Sequence, residues 1–189
     1  MRIIDRQVVW EGRFIRTLLL RVEDANGSLH TWEGVERVGC NGIVVIIPMT
    51  PAGELVFIRQ FRPILNRYVV EFPAGLNDKG DDLPGAARRE LIEETGFAAG
   101  TLEVMAEGPV SSGLSAEVTT IYLAKNIAPA SEQELKANKP DESEKIEVFV
   151  VPMNNAIDWL RQMQDRGDYV DLKVFGFIEL VRSREKDTA

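Results

Sequence analysis

With a single cysteine (Cys40) and a single histidine (His30) among 189 residues, the chain cannot build an internal disulfide framework, a multi-cysteine zinc site or a histidine-rich metal centre. Any bound metal must be held by oxygen, and therefore by carboxylates. Basic residues are outnumbered as well: 22 Lys and Arg stand against 30 Asp and Glu, a net charge of -8 with a pI near 4.8. That balance speaks against a nucleic-acid surface, because neutralising phosphate takes clustered cations. An acidic protein can still take an anion through a bridging divalent cation. No stretch approaches the roughly 18 consecutive apolar residues of a membrane span. The N-terminus (MRIIDRQVVWEGR) carries charges where a signal peptide needs its apolar stretch. The expectation is a cytoplasmic protein with neither membrane nor nucleic acid as partner.

The remaining composition is ordinary for a globular protein, 44% hydrophobic and 28% charged, and supports a sizeable core. Its length fits one domain, residues 1–189, since a split would leave two unusually small cores. Neither an internal repeat nor a low-complexity tract interrupts it.

The first third reads as strands. Residues 14–22 are apolar and β-rich, Asp24-Ala25-Asn26-Gly27 is a turn, and 29–35 resumes the alternation, which makes a hairpin. The continuous apolar run 42–48 (GIVVIIP) suits a strand buried on both faces, and 54–60 follows across Thr50-Pro51-Ala52-Gly53 as a second expected hairpin. Residues 68–72 form a short strand entering Pro73-Ala74-Gly75. Residues 83–95 then carry helical spacing, with Pro84 in the first turn and Gly96 just past the end. Residues 102–106, 118–124 and 146–151 read as strands, 154–166 and 172–184 as helices. The polar, acidic segment 127–145 (IAPASEQELKANKPDESEK) reads as a long loop with one helical turn, a length that points to function or disorder. His30 is expected on the surface, Cys40 as a small filler, and Trp10 and Trp159 as packing anchors.

On the helix 83–95, Glu90, Glu93 and Glu94 lie at i, i+3 and i+4 and share one face. Carboxylates at that spacing repel one another unless a cation or Arg89 relieves them. Spacing alone leaves two readings open: a solvated acidic face, or a metal site.

The surrounding residues resemble the Nudix hydrolases, whose box is G-x5-E-x7-R-E-U-x-E-E-x-G-U, with U a bulky aliphatic or aromatic residue. The chain supplies Gly75, Asp81, Arg89, Glu90, Leu91, Glu93, Glu94, Gly96 and Phe97 at those spacings. Asp81 alone departs, being one methylene shorter than the family's Glu. The resemblance implies an α/β fold, an α/β/α sandwich on a mixed sheet, here with an N-terminal β-hairpin extension. It implies Mg²⁺, or Mn²⁺, held by Glu90, Glu94 and the backbone carbonyl of Ala74, with Arg89 orienting the helix face by pairing with a box carboxylate such as Glu93.

Outside the box, Thr31 to Arg37 (TWEGVER), Val56 to Pro63 (VFIRQFRP), Glu71 to Leu76 (EFPAGL) and Gly113-Leu114-Ser115 resemble the ADP-sugar pyrophosphatases, which cleave ADP-ribose and related nucleotide sugars. The resemblance implies a homodimer whose N-terminal strands, within residues 1–40, exchange around a catalytic core of residues 41–189. An adenine ring would be stacked between aromatics of the two subunits, at positions matched by Trp32 and Phe14. Arg37 and Arg62 match substrate-contacting positions, and Leu76, at the end of the matched EFPAGL piece, is expected to bind substrate with them. Arg59, three residues from Arg62 on a strand, points to the other face and stays outside the site. Ser112 stands where many ADP-ribose enzymes have proline, which leaves GDP-mannose or another nucleotide open as substrate. The catalytic base falls in the acidic loop, on Glu144 with Glu142 as the alternative, and either could instead bind a further metal. Glu117 and Glu71 read either as functional or as structural carboxylates. A Nudix-like sensor that binds ADP-ribose without cleaving it is the rival from another class. Against it stand the intact helix glutamates and the lack of any basic segment beyond Val151.

Overall fold

The computed structural model describes residues 1–139 and 145–187. The chain opens with β1 (Arg2–Glu11), β2 (Ile15–Glu23) and β3 (Leu29–Arg37), an antiparallel three-stranded sheet. Strands β2 and β3 form the expected hairpin, in register from Ile15 opposite Arg37 to Glu23 opposite Leu29. Strand β1 was not foreseen. Each of its ten residues is solvent-exposed, so no buried face imposes a readable alternation, and Trp10 is 55% exposed rather than an anchor. This sheet meets the rest of the chain through Val35, whose N–H donates to Leu114 O (2.8 Å) and whose carbonyl accepts from Ala116 N (3.0 Å).

The main sheet contains β4 (Ile43–Met49), β5 (Glu54–Arg62), β6 (Arg67–Glu71), β7 (Ala74–Leu76), β9 (Thr101–Pro109), β10 (Val118–Lys125), β12 (Ile146–Pro152) and β13 (Tyr169–Val170). It is mixed: β4 runs parallel to β10, and β6 to β13, while the other ladders are antiparallel. The expected β4–β5 hairpin closes only at its mouth, where Met49 faces Leu55. Beyond that pair the strands part, β4 to join β7 and β10, β5 to join β6 and β12. A small ladder joins β8 (Phe97–Ala98) to β11 (Ala128–Pro129).

Helices cover both faces. Along β4, Val44 and Ile46 point toward α1 (Leu83–Thr95), in one apolar cluster with Val56, Ala86, Ala87, Leu91 and Tyr122. Val45, Ile47 and Met49 point the other way, into a larger cluster with Phe57, Phe72, Leu160 of α3 (Ala156–Asp165) and Ile178 of α4 (Lys173–Asp187). This period-two division is what a strand buried on both faces requires. Trp159 packs beside Phe57 and Phe149, as an anchor should. Inside the long polar segment, α2 (Glu132–Ala137) supplies the expected helical turn, started by a capping box between Ser131 and Glu134. Among the described residues no helix is long and apolar enough to cross a membrane.

Candidate active site

Strand β6 brings the chain to Glu71, the turn at Pro73 leads into β7, and the loop that follows delivers it to α1. Helix α1 starts where Asp82 caps it, accepting from Gly85 N–H, and ends at Gly96, whose φ of 73° suits a residue without Cβ. These local signals fix the helix register and therefore the face that carries Glu90, Glu93 and Glu94. That face looks onto β7. Gly75 is required there, because a Cβ on it would fall 2.0 Å from Glu90 Cδ. Glu94, 7% exposed, accepts a hydrogen bond from Ala74 N–H at 2.9 Å.

Arg89 ties the face together. Its Nε donates to Asp81 Oδ2 (3.0 Å), its Nη1 to Glu90 Oε1 (2.6 Å) and Glu93 Oε2 (3.1 Å), and its Nη2 to the Leu76 carbonyl (3.3 Å). Asp81, despite its shorter side chain, reaches the arginine. Burial nevertheless dominates at Glu90 and holds its carboxyl above the usual carboxylate range, against the pull of Arg89.

A cavity of about 560 Å³ opens over this cluster. It brings together Phe14, Arg37, Arg62, Ala74, Leu76, Arg89, Glu90, Glu93 and Glu94, all singled out from the sequence. Its lining thus carries both carboxylates and cations, a set fitted to an anion bridged by cations. The two arginines rest on carboxylates: Arg37 Nε donates to Glu117 Oε1 (2.7 Å) and Arg62 Nε to Glu71 Oε1 (2.8 Å). Glu71 and Glu117 therefore hold these two cavity-lining arginines in place.

Trp32 does not line the cavity of its own chain. It is 54% exposed, and its Nε1 donates to Gly113 O at 3.1 Å, which links β3 to the 111–115 loop. Glu142 and Glu144 lie outside the described residues. Arg59, left out of the site from its strand position, is engaged elsewhere: it forks onto Asp168 (2.8 and 3.0 Å), pairs with Glu147 (2.6 Å) and lies 3.8 Å over the Tyr68 ring. Cys40 is half-buried, its thiol donating to Gly42 O. His30 is exposed beside Asp24, as expected.

Sequence reasoning missed Asp78, Lys79 and Lys139, which also line the cavity. The first two sit in the variable part of the box, between Gly75 and Asp81, where spacing carries no information about side chains. Lys139 lies in the polar segment after α2, and no motif marks it.

The donor set suits a hard divalent cation. Glu90 packed against the bare Gly75 backbone and Glu94 bonded to Ala74 place oxygen ligands around one turn of β7. Among the described residues no group of three Asp, Glu, His or Cys side chains is arranged to hold an ion. Magnesium commonly takes only one or two carboxylates, keeps water and uses substrate phosphate oxygens.

Comparison with known proteins agrees with this geometry. A NUDIX domain match covers residues 41–171. An ADP-ribose pyrophosphatase from Bacillus subtilis (strain 168) is 30% identical over 182 residues, spanning 96% of this chain and 92% of the relative. A methanol dehydrogenase activator from Bacillus methanolicus is 30% identical over 159 residues, 84% of this chain and 82% of that protein. The crystal structure of an ADP compounds hydrolase superposes with a TM-score of 0.80, covering 100% of this chain and 95% of that one at 24% identity, and so shares its fold.

Proposed function

This chain belongs to the Nudix hydrolase family, and from that premise we propose that it hydrolyses the diphosphate bond of ADP-ribose or a related nucleoside diphosphate sugar. The products would be a nucleoside monophosphate and a sugar phosphate. The observation that carries the proposal is the cavity lined both by Arg37 and Arg62 and by Glu90, Glu93 and Glu94. Two arginines suit the oxygens of a diphosphate, and the carboxylates suit the cation that bridges it.

Nudix hydrolases generally use a divalent metal, and Mg²⁺, with Mn²⁺ as substitute, is the proposed cofactor. Glu90, Glu94 and the Ala74 carbonyl would hold it. Bound there, the ion would neutralise the diphosphate and make its phosphorus more electrophilic. The remaining work falls to side chains. Arg89 keeps Glu90 and Glu93 aligned through its two Nη1 bonds. Arg37 and Arg62 bind the diphosphate, Leu76 lines the cavity beside them, and Phe14 stacks on the base together with Trp32 of a second subunit. Glu144, or Glu142 in its stead, takes the proton of the attacking water. A new P–O bond forms to that water oxygen as the P–O–P bond breaks, and the leaving phosphate takes the electron pair. The assembly is proposed to be a cytoplasmic homodimer, with residues 1–40 at the dimer contact and 41–189 as the catalytic core of one domain.

A substrate panel tests this reading: ADP-ribose, ADP-glucose, GDP-mannose, UDP-glucose, NADH, diadenosine polyphosphates and a nucleoside triphosphate, each with Mg²⁺. Phosphate is scored only after added phosphatase. The expected result is turnover concentrated in the nucleotide sugars, with their ranking naming the sugar. Saturable ADP-ribose binding without turnover of any member would replace the enzyme by a sensor.

A further inference from the structure

Lys79 stands in the loop between β7 and α1, beside Gly80, whose φ is 83°. Its Nζ lies 3.2 Å from Glu93 Oε1, and it lines the same cavity as the glutamates. Two cations thus face the three carboxylates of α1, and they are held very differently. Arg89 is 12% exposed at its side chain and donates to three carboxylates and a carbonyl. Lys79 is 55% exposed, and among the described residues its ion pair is with Glu93 alone. A lysine ammonium is a compact, strongly hydrated charge on a flexible stem, so it can return to water where a guanidinium fork cannot. One cation belongs to the framework of the site, and the other is removable.

We propose that Lys79 is a tethered cation that competes with the divalent ion for the carboxylates of α1, and so sets the metal concentration at which the site fills. The proposal rests on the metal-dependent reading above. While Lys79 pairs with Glu93, it relieves the repulsion among carboxylates at i, i+3 and i+4 that would otherwise draw a metal in. Entry of a doubly charged ion beside it cancels most of the negative charge that holds Lys79, and its attraction to Glu93 weakens. The position of this residue in the variable part of the box makes metal affinity adjustable without touching a ligand.

Manganese binding to the substrate-free full-length chain tests this, read as loss of the free Mn²⁺ signal in electron paramagnetic resonance. A side chain more than half exposed on a loop can be replaced without endangering the fold. Lys79→Met is expected to bind Mn²⁺ on the order of tenfold more tightly than the wild type, the effect of removing a unit charge a few ångströms from a divalent ion in a watery site. Lys79→Arg keeps the charge and should show no such gain, and the gap between Lys79→Met and the wild type should narrow as ionic strength rises. Equal or weaker binding by Lys79→Met, with the wild type binding normally, would overturn the role of Lys79. Failure of the wild-type chain to bind Mn²⁺ at all would overturn the metal-dependent reading beneath it, so the two failures are distinguishable.

Discussion

Glu90 shows how a single buried carboxylate can be poorly placed for folding. Packed against Gly75 and 13% exposed, its carboxyl is held above the usual carboxylate range because burial disfavours the charged form more than Arg89 favours it. Its proton is therefore bound more tightly in the folded chain than in the unfolded one. Stability from this group is present at acid pH and is lost as pH rises through the ordinary carboxylate range toward the raised value. Glu90→Gln removes that cost. In metal-free buffer at pH 7 the variant should melt at or above the wild-type temperature, with the gap closing as pH falls toward about 4. Added Mg²⁺ should raise the melting temperature of the wild type and leave the variant unmoved. A variant that melts well below the wild type at pH 7 would show that Glu90 is a structural carboxylate, braced chiefly by Arg89.

At the scale of elements, what could be read from the sequence was whatever local chemistry dictates. Asp82, Pro84 and Gly96 delimit α1 as expected, and the i, i+3, i+4 glutamates followed from that helix alone. The opening of β4 and β5 beyond Met49 and Leu55 was not legible, because their partners β10, β12, β6 and β7 are set by pairings the local pattern does not encode. The carboxylates behind the substrate arginines were ambiguous for the same reason, with Glu117 lying 80 residues from Arg37. Strand position did place Arg59 correctly, and the structure gives it a role: it joins β5 to β12 through Glu147 and to the start of β13 through Asp168. Asp168 is 9% exposed, so Arg59→Ala leaves a buried carboxylate without its fork. The expected cost is roughly 1–3 kcal/mol in denaturant unfolding, with KM for the nucleotide sugar unchanged. A raised KM at full stability would place Arg59 in the site after all.

At the scale of the whole molecule, the N-terminal sheet is the part least explained by one chain. Ile3, Val9, Trp10, Leu29 and Trp32 are all more than half exposed on it, an apolar display that soluble monomers seldom keep. Sedimentation equilibrium should therefore give twice the 21.1 kDa of the chain, and a chain lacking residues 1–37 should sediment as a monomer; a full-length monomer would dismiss the shared adenine pocket. Hydrolysis itself is followed by phosphorus NMR of ADP-ribose incubated with the protein and Mg²⁺. The expected result is that both diphosphate resonances disappear together and two phosphomonoester resonances replace them in equal amount, and that no conversion occurs once Mg²⁺ is chelated. Diphosphate resonances that persist in the presence of Mg²⁺, broadened by binding but never converted, would contradict it.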